Sequence, residues 1–199
     1  MALTLVTGPS SEPVTVSELK DHLRLDGSDD DGYLVSLIKA ARQWFEGQTK
    51  RGVITQTWDY DIDYNWPWKH GQHGIDLPLN PVPAQTSPAT CSITYVDSDG
   101  ASQTLAQTQY TLVGRTHGSY IVPAYDVAWP SVRSVPEAIT VRFNVGESSA
   151  PEDIKMPIIF LAAHWYENRV SIIHGLGAMT AELPYSIEAM VSPYRRAVF

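Results

Sequence analysis

An α+β fold is predicted: a helical bundle core built from both ends of the chain, with an antiparallel β unit inserted between them. Three observations predict it. Up to about residue 52, apolar residues recur at spacings of three and four. From about residue 53 to 146 they alternate in short runs separated by turn residues. From Ile154 to Tyr166 they form an almost continuous run. The first and last patterns suit helices and the middle one suits strands. The expected division is 1–52 for N-terminal helices, 53–148 for the inserted β unit, and 149–199 for C-terminal helices and a tail.

Each element has a local reason. Thr15 reads as an N-cap, Glu18 three residues on completes a capping box, and Val14 is placed to staple against Leu19. A helix from about Thr15 to Leu25 follows, with Val16, Leu19 and Leu23 inward. Asp29, Asp30 and Asp31 open the next helix, where carboxylates favour the positive end of the dipole. Leu34, Leu37, Ile38, Ala41, Trp44 and Phe45 form its apolar stripe, and Lys50, Arg51 and Gly52 form its stop. Thr57 to Asp63 alternates strictly, with Trp58, Tyr60 and Ile62 on one face. Two runs, Ser92 to Asp97 and Ser102 to Leu105, flank the hairpin signal Ser98-Asp99-Gly100. Tyr110 to Val113 and Ser119 to Val122 are two further short strands. Ile139, Val141, Phe143 and Val145 alternate in the last one. Ser149 and Glu152 make a second capping box around Pro151, opening a helix to about Arg169. Pro157 removes a backbone donor inside it, so a kink or an irregular first turn is expected. A glycine-containing loop and a short helix, about Tyr185 to Val191, precede Pro193.

The composition narrows the function. A formal net charge of −8 and a pI of about 5.1 disfavour a protein that grips nucleic acid, without excluding one that surrounds it. Cys91 is the only cysteine, so no intrachain disulfide is available. No segment reaches the roughly 18 uninterrupted apolar residues of a membrane span, and the start Met-Ala-Leu-Thr lacks the features of a signal peptide. A soluble protein made in a cytoplasm, with no membrane partner, is expected.

Candidate catalytic groups do not combine. His70 and His73 lie three apart with no third metal ligand at a useful spacing. Asp59, Asp61 and Asp63 share one strand face; paired carboxylates serve glycoside hydrolysis, but three acids at period two are more simply a solvated face. Cys91 with His117 or His164 lacks any local nucleophile signature, and Gly175-Leu176-Gly177 lacks the rest of a phosphate loop. No catalytic residue, metal or cofactor is expected. Trp66 and Trp68, in the loop Trp66 to Gly74, are candidates for a partner contact or for packing back on their own sheet. The apolar run from Ile154 ends in His164-Trp165-Tyr166-Glu167-Asn168-Arg169. A helix with no polar face must be buried on several sides, by its own domain or by another copy. That favours an assembling protein over a free enzyme.

In order and wording the sequence resembles the head–tail connector proteins of tailed phages, also called adaptor or head-completion proteins, found too in phage-like gene transfer particles. The resemblance is carried by Glu12-Pro13-Val14-Thr15, Leu23-Arg24-Leu25-Asp26, Asp30-Asp31, Ala40 to Glu46, Thr49-Lys50-Arg51 and Gln56-Thr57-Trp58. Leu77 to Val82, Thr94 to Asp97, Asp99-Gly100, His164 to Arg169 and Pro193-Tyr194-Arg195-Arg196 continue it. The resemblance implies a non-enzymatic virion protein: a homo-oligomeric ring of about twelve copies beneath the portal, in the neck between capsid and tail. Such a ring extends the DNA channel and docks the next neck or tail protein, and double-stranded DNA passes through without specific binding.

Carried onto this chain, the portal-reaching tail is Pro193, Tyr194, Arg195, Arg196, Val198 and Phe199. The helix residues Ile158, Trp165, Tyr166 and Arg169 are the expected subunit interface. A channel lining richer in carboxylates than in Lys or Arg is expected, because it repels phosphates and lets the duplex slide. Two other readings stay open. One is a different neck part, a stopper or tail terminator, against which the helix–β–helix order argues. The other is a carbohydrate-binding or hydrolytic module on the β insert, with Trp66, Trp68 and the Asp strand as its site.

Overall fold

The computed structural model describes residues 1–63, 74–82, 90–114, 118–168 and 185–195. Its elements are β1 (Ala2–Thr7), α1 (Val16–Leu23), α2 (Asp31–Thr49), β2 (Gln56–Ile62), β3 (Ile75–Asp76) and β4 (Cys91–Val96). Then come β5 (Ser102–Thr104), β6 (Tyr110–Val113), β7 (Tyr120–Pro123), β8 (Ile139–Val145), α3 (Glu152–Glu167) and α4 (Tyr185–Val191). This is the expected α+β class. The chain forms two compact units, one of Met1–Ser10 with Ile54–Ser148 and one of Ser11–Val53 with Ser149–Phe199. The first ten residues therefore join the sheet and not the helical core, to which the expected division assigns all of 1–52. The alternation Leu3-Thr4-Leu5 is short, and its pairing partner β2 lies far along the chain, so no hairpin signal marks it.

The β unit holds a five-stranded sheet in the order β1-β2-β8-β4-β5 and a three-stranded sheet in the order β3-β7-β6, with every pair antiparallel. β8 is central. It pairs with β2 from Gln56↔Val145 to Ile62↔Ile139 and with β4 from Cys91↔Phe143 to Tyr95↔Ile139. Its alternation is read out as expected: Ile139, Val141, Phe143 and Val145 are all fully buried, while Arg142 points to solvent. Ile62, Ile93, Ile75, Leu77 and Ile121 complete the core between strands of both sheets, and Trp58 and Tyr60 pack on its margin. Burying each aliphatic side chain contributes roughly 1.5–3 kcal/mol before entropy is counted. The β4–β5 turn forms where Asp99-Gly100 predicts it. The Asp97 carboxylate accepts the N–H of Asp99 (3.0 Å) and of Ala101 (2.9 Å). After β8, Gly146 sits at φ +91°, and a Cβ there would lie 2.4 Å from the Ile54 carbonyl oxygen. Only glycine fits that close approach without strain.

The helical unit opens with the predicted capping box. Thr15 Oγ1 accepts the Glu18 N–H (3.2 Å), and Glu18 Oε2 accepts the Thr15 N–H (2.6 Å). Val14 and Leu19 are buried as a staple requires, but Val16 and Leu23 are only half-buried. α2 buries Leu34, Leu37, Ile38, Ala41 and Phe45, leaves Trp44 half-exposed, and buries Arg42 and Thr49 as well. It ends on Lys50 in the left-handed region (φ 54°), two residues before the expected stop at Gly52. The second capping box does not form. Pro151 takes the N-cap position of α3 and no side chain caps it. Nor is an irregular turn seen at Pro157, since α3 is one helix from Glu152 to Glu167 with Pro157 buried inside it. There the proline ring serves as a core side chain, and burial outweighs the single missing donor.

The largest correction concerns α3 itself. It packs against α1, α2 and α4 of its own unit. Ile154, Pro157, Ile158, Ile159, Leu161, Ala162 and Ala163 are buried in this way within one copy. An apolar run on a helix flanked on three sides by its own chain needs no second copy, so the run alone does not argue for assembly.

Candidate interaction surfaces

The acidic strand face is held in pairs. Asp59 takes a two-pronged contact from Arg142, Nε to Oδ1 and Nη2 to Oδ2, both 2.7 Å. Asp61 accepts from Thr140 Oγ1 at 2.7 Å, and Asp63 accepts the Glu137 N–H at 3.3 Å and lies 3.8 Å from the Met1 amine. Each carboxylate is thus committed to a structural partner, mostly on the neighbouring strand, the arrangement of a solvated sheet face. The hydrogen bonds and charge of Asp59 raise the Arg142 pKa. Cys91 is 1% exposed among core residues, and burial pushes its thiol up to about 12, the opposite of an activated nucleophile. His117, His70 and His73 lie outside the described residues.

In the helical unit, α1, α3 and α4 border an open depression lined by His22, Phe160, Ala163, His164, Glu167, Ser186 and Ile187. The His22 and Phe160 rings meet edge-on at 5.1 Å. His164 is half-buried, and Asn168 Nδ2 donates to its backbone carbonyl at 2.9 Å. Among the described residues no three His, Cys, Asp or Glu side chains gather as a metal site, and no helix is long and apolar enough to cross a membrane.

The structure disperses the expected interface residues. Ile158 is 1% exposed and its side chain belongs to the core of its own unit, so it is not available to a neighbour. Trp165 and Tyr166 are half-buried. Tyr166 is tied inward, its hydroxyl 2.5 Å from Asp30 Oδ2 and its ring 6.1 Å from that of Tyr33. In the tail, Pro193 and Tyr194 form a short 3₁₀ turn after α4. The Tyr194 hydroxyl donates to Asp153, its ring lies 5.9 Å from that of Phe45, and the Arg51 guanidinium sits 5.8 Å over it. Burial and then the Asp153 contact push the Tyr194 phenol up to about 12. Arg195 pairs with Glu188 at 2.8 Å. Arg169, Arg196, Val198, Phe199, Trp66 and Trp68 lie outside the described residues.

Two features escaped the sequence reading. One is a buried ion triad. Arg42, 4% exposed, donates Nε and Nη2 to Glu12 (2.7 and 3.2 Å) and Nη1 to Glu46 (2.7 Å). Glu46 also accepts the Val53 N–H at 3.0 Å. Glu46 at i+4 from Arg42 was the available signal. The other is a group of exposed apolar side chains on β1, with Leu3 37%, Leu5 47% and Val6 44% exposed.

The family model described as phage gp6-like head–tail connector protein matches residues 13–96. That part of the chain resembles the phage head–tail connector family. Three solved chains resemble it along its whole length, each at 25% identity and covering 100% of this chain and 97% of the other. They come from the neck of an empty GTA particle computed with C6 symmetry (TM-score 0.75), the virion of a native gene transfer agent particle (0.74) and the neck of a native GTA particle computed with C12 symmetry (0.74). No curated protein matches the chain by sequence. The matched residues hold α1, α2 and β2 to β4, and the solved chains extend the likeness over the rest.

Proposed function

We propose that this connector-type chain is a structural, non-enzymatic protein of a virion neck, where copies of it form a ring between the portal and the tail. The ring extends the DNA channel and offers a docking surface to the next neck or tail protein. The observation that carries this reading is the likeness over 100% of the chain to neck chains of a particle computed with C6 and C12 symmetry. The paired carboxylates and the buried, unreactive Cys91 fit a scaffold better than a hydrolytic or sugar-binding module. In this reading the segment Pro193 to Phe199 reaches the portal, so Tyr194 and Arg195 exchange Asp153 and Glu188 for portal groups. Trp165 and Arg169 lie towards the next copy, while Tyr166 holds α3 to Asp30 of its own chain, and Trp66 and Trp68 meet a further component. The lumen carries more carboxylates than basic groups, consistent with the net charge of −8.

Electron microscopy of the chain bound to its portal tests the reading. A closed ring coaxial with the portal is the expected result; isolated copies scattered on the portal surface, or a ring with a continuous basic lining, would overturn it.

A further inference from the structure

We infer that the open edge of β1, with the apolar strip Leu3, Leu5, Trp58 and Tyr60 beside it, is the face by which one copy meets the next in the ring. The inference rests on the ring reading and names the contact that builds it.

The sheet shows why this edge is incomplete. Residues opposite one another across antiparallel strands share a face. One row runs Leu3↔Tyr60↔Val141↔Ile93 and the next runs Leu5↔Trp58↔Phe143↔Cys91. Along both rows burial falls from complete on β4 and β8, through half on β2, to 37% and 47% exposure at Leu3 and Leu5. The core face of the sheet thus runs out to its edge with no polar border. All six residues of β1 are exposed, and no charged side chain occurs before Glu12. Edge strands of free-standing sheets are guarded by lysines, prolines or inward charges; here the one guard is a bulge at Val6, near the end of the strand.

A second copy is the occupant that fits. A ring of identical chains needs two different faces per copy, one leading and one trailing. The five-stranded sheet has two open edges, β1 and β5, and β5 (Ser102–Thr104) is likewise fully exposed and uncharged. Because all four intervening pairings are antiparallel, β1 and β5 run in the same direction. β1 of one copy therefore meets β5 of the next as a parallel pair, with its leucines closing over the neighbour.

The test uses the full-length chain co-expressed with its portal. A Thr4→Cys, Thr104→Cys double variant, both positions on the outer face of the sheet, is treated with a short bismaleimide; Cys91, buried and with its thiol pushed up to about 12, does not compete. A ladder of covalent multimers from the double variant, absent from each single variant, is the expected result. Leu5→Lys, at a site exposed enough to leave the fold intact, lowers ring yield by about tenfold or more, because the ring would bury the new charge. A ring that forms normally with Leu5→Lys and gives no ladder overturns the inference while leaving the ring reading standing. No ring from the wild-type chain defeats the ring reading itself.

Discussion

Replacing Arg42 with methionine removes the cation from a triad that the helical unit closes almost completely. Arg42 is 4% exposed, with Glu46 at 15% and Glu12 at 26%. Breaking a buried ion pair by deleting one partner typically costs about 3–5 kcal/mol, because the remaining charge is left desolvated. Two carboxylates are stranded here, but both still touch water and regain part of their hydration. The lower end, about 3 kcal/mol, is therefore expected. For a chain of this size that corresponds to a drop in melting temperature of about 6–12 °C. Arg42→Lys keeps the charge and loses the fork that spans both oxygens of Glu12, so it falls between, at about 1–2 kcal/mol. Thermal and denaturant melts of the full-length chain followed by far-ultraviolet circular dichroism measure both variants. Adding Glu12→Gln to each in a double-mutant cycle isolates the pair. An Arg42→Met protein that melts within about 1 kcal/mol of wild type would refute the reasoning and reduce the triad to an ordinary surface cluster.

Three further outcomes are expected. The backbone and hydroxyl contacts of Thr15, joined by Lys155, hold the Glu18 carboxyl below its ordinary value of 4.5. A depressed carboxylate contributes stability above its unfolded pKa and loses it as pH falls through the folded value. Glu18→Gln therefore flattens the acid limb of the stability–pH profile, read from denaturant midpoints at stepped pH, and leaves neutral pH about 1 kcal/mol less stable through the lost cap. The raised Tyr194 phenol works the other way, adding stability below its ordinary 10.0 that is lost as pH climbs to about 12. The difference in phenolate absorbance between wild type and Tyr194→Phe should have its midpoint near 12, and a midpoint near 10 would mean that the tail turn is undocked in solution. Cys91 should resist iodoacetamide in the folded protein and react within minutes once denaturant unfolds it, as mass spectrometry of the alkylated chain would show.

The elements legible in the sequence were those whose cause is local. The Thr15–Glu18 box, the Asp99-Gly100 turn and the alternation of β8 each specify their structure within a few residues, and each formed. What was missed depends on distant partners. β1 is a strand only because β2 lies beside it, and Arg42 is buried only because Glu12 reaches it from thirty positions away. α3 shows the reverse error. Its composition correctly demanded burial on several sides, but the helices that provide it belong to the same chain. The Ser149 box failed because Pro151, fixed in an extended conformation (ψ 156°), became the cap instead. Of the candidate interaction residues, Ile158 read as accessible from apolarity alone; periodicity does not distinguish a core position from an interface one.

The backbone crosses from one unit to the other three times, after Ser10, Val53 and Ser148. Genetic dissection of this protein must respect that threading. A fragment cut as 54–148 would lose its outermost strand and leave Trp58 and Tyr60 at a raw margin, inviting aggregation that says nothing about the native molecule. Grafting Met1–Ser10 back through a short glycine-rich bridge restores the missing border, whereas a bulky fusion at Met1 would sit on the same border and block whatever docks there.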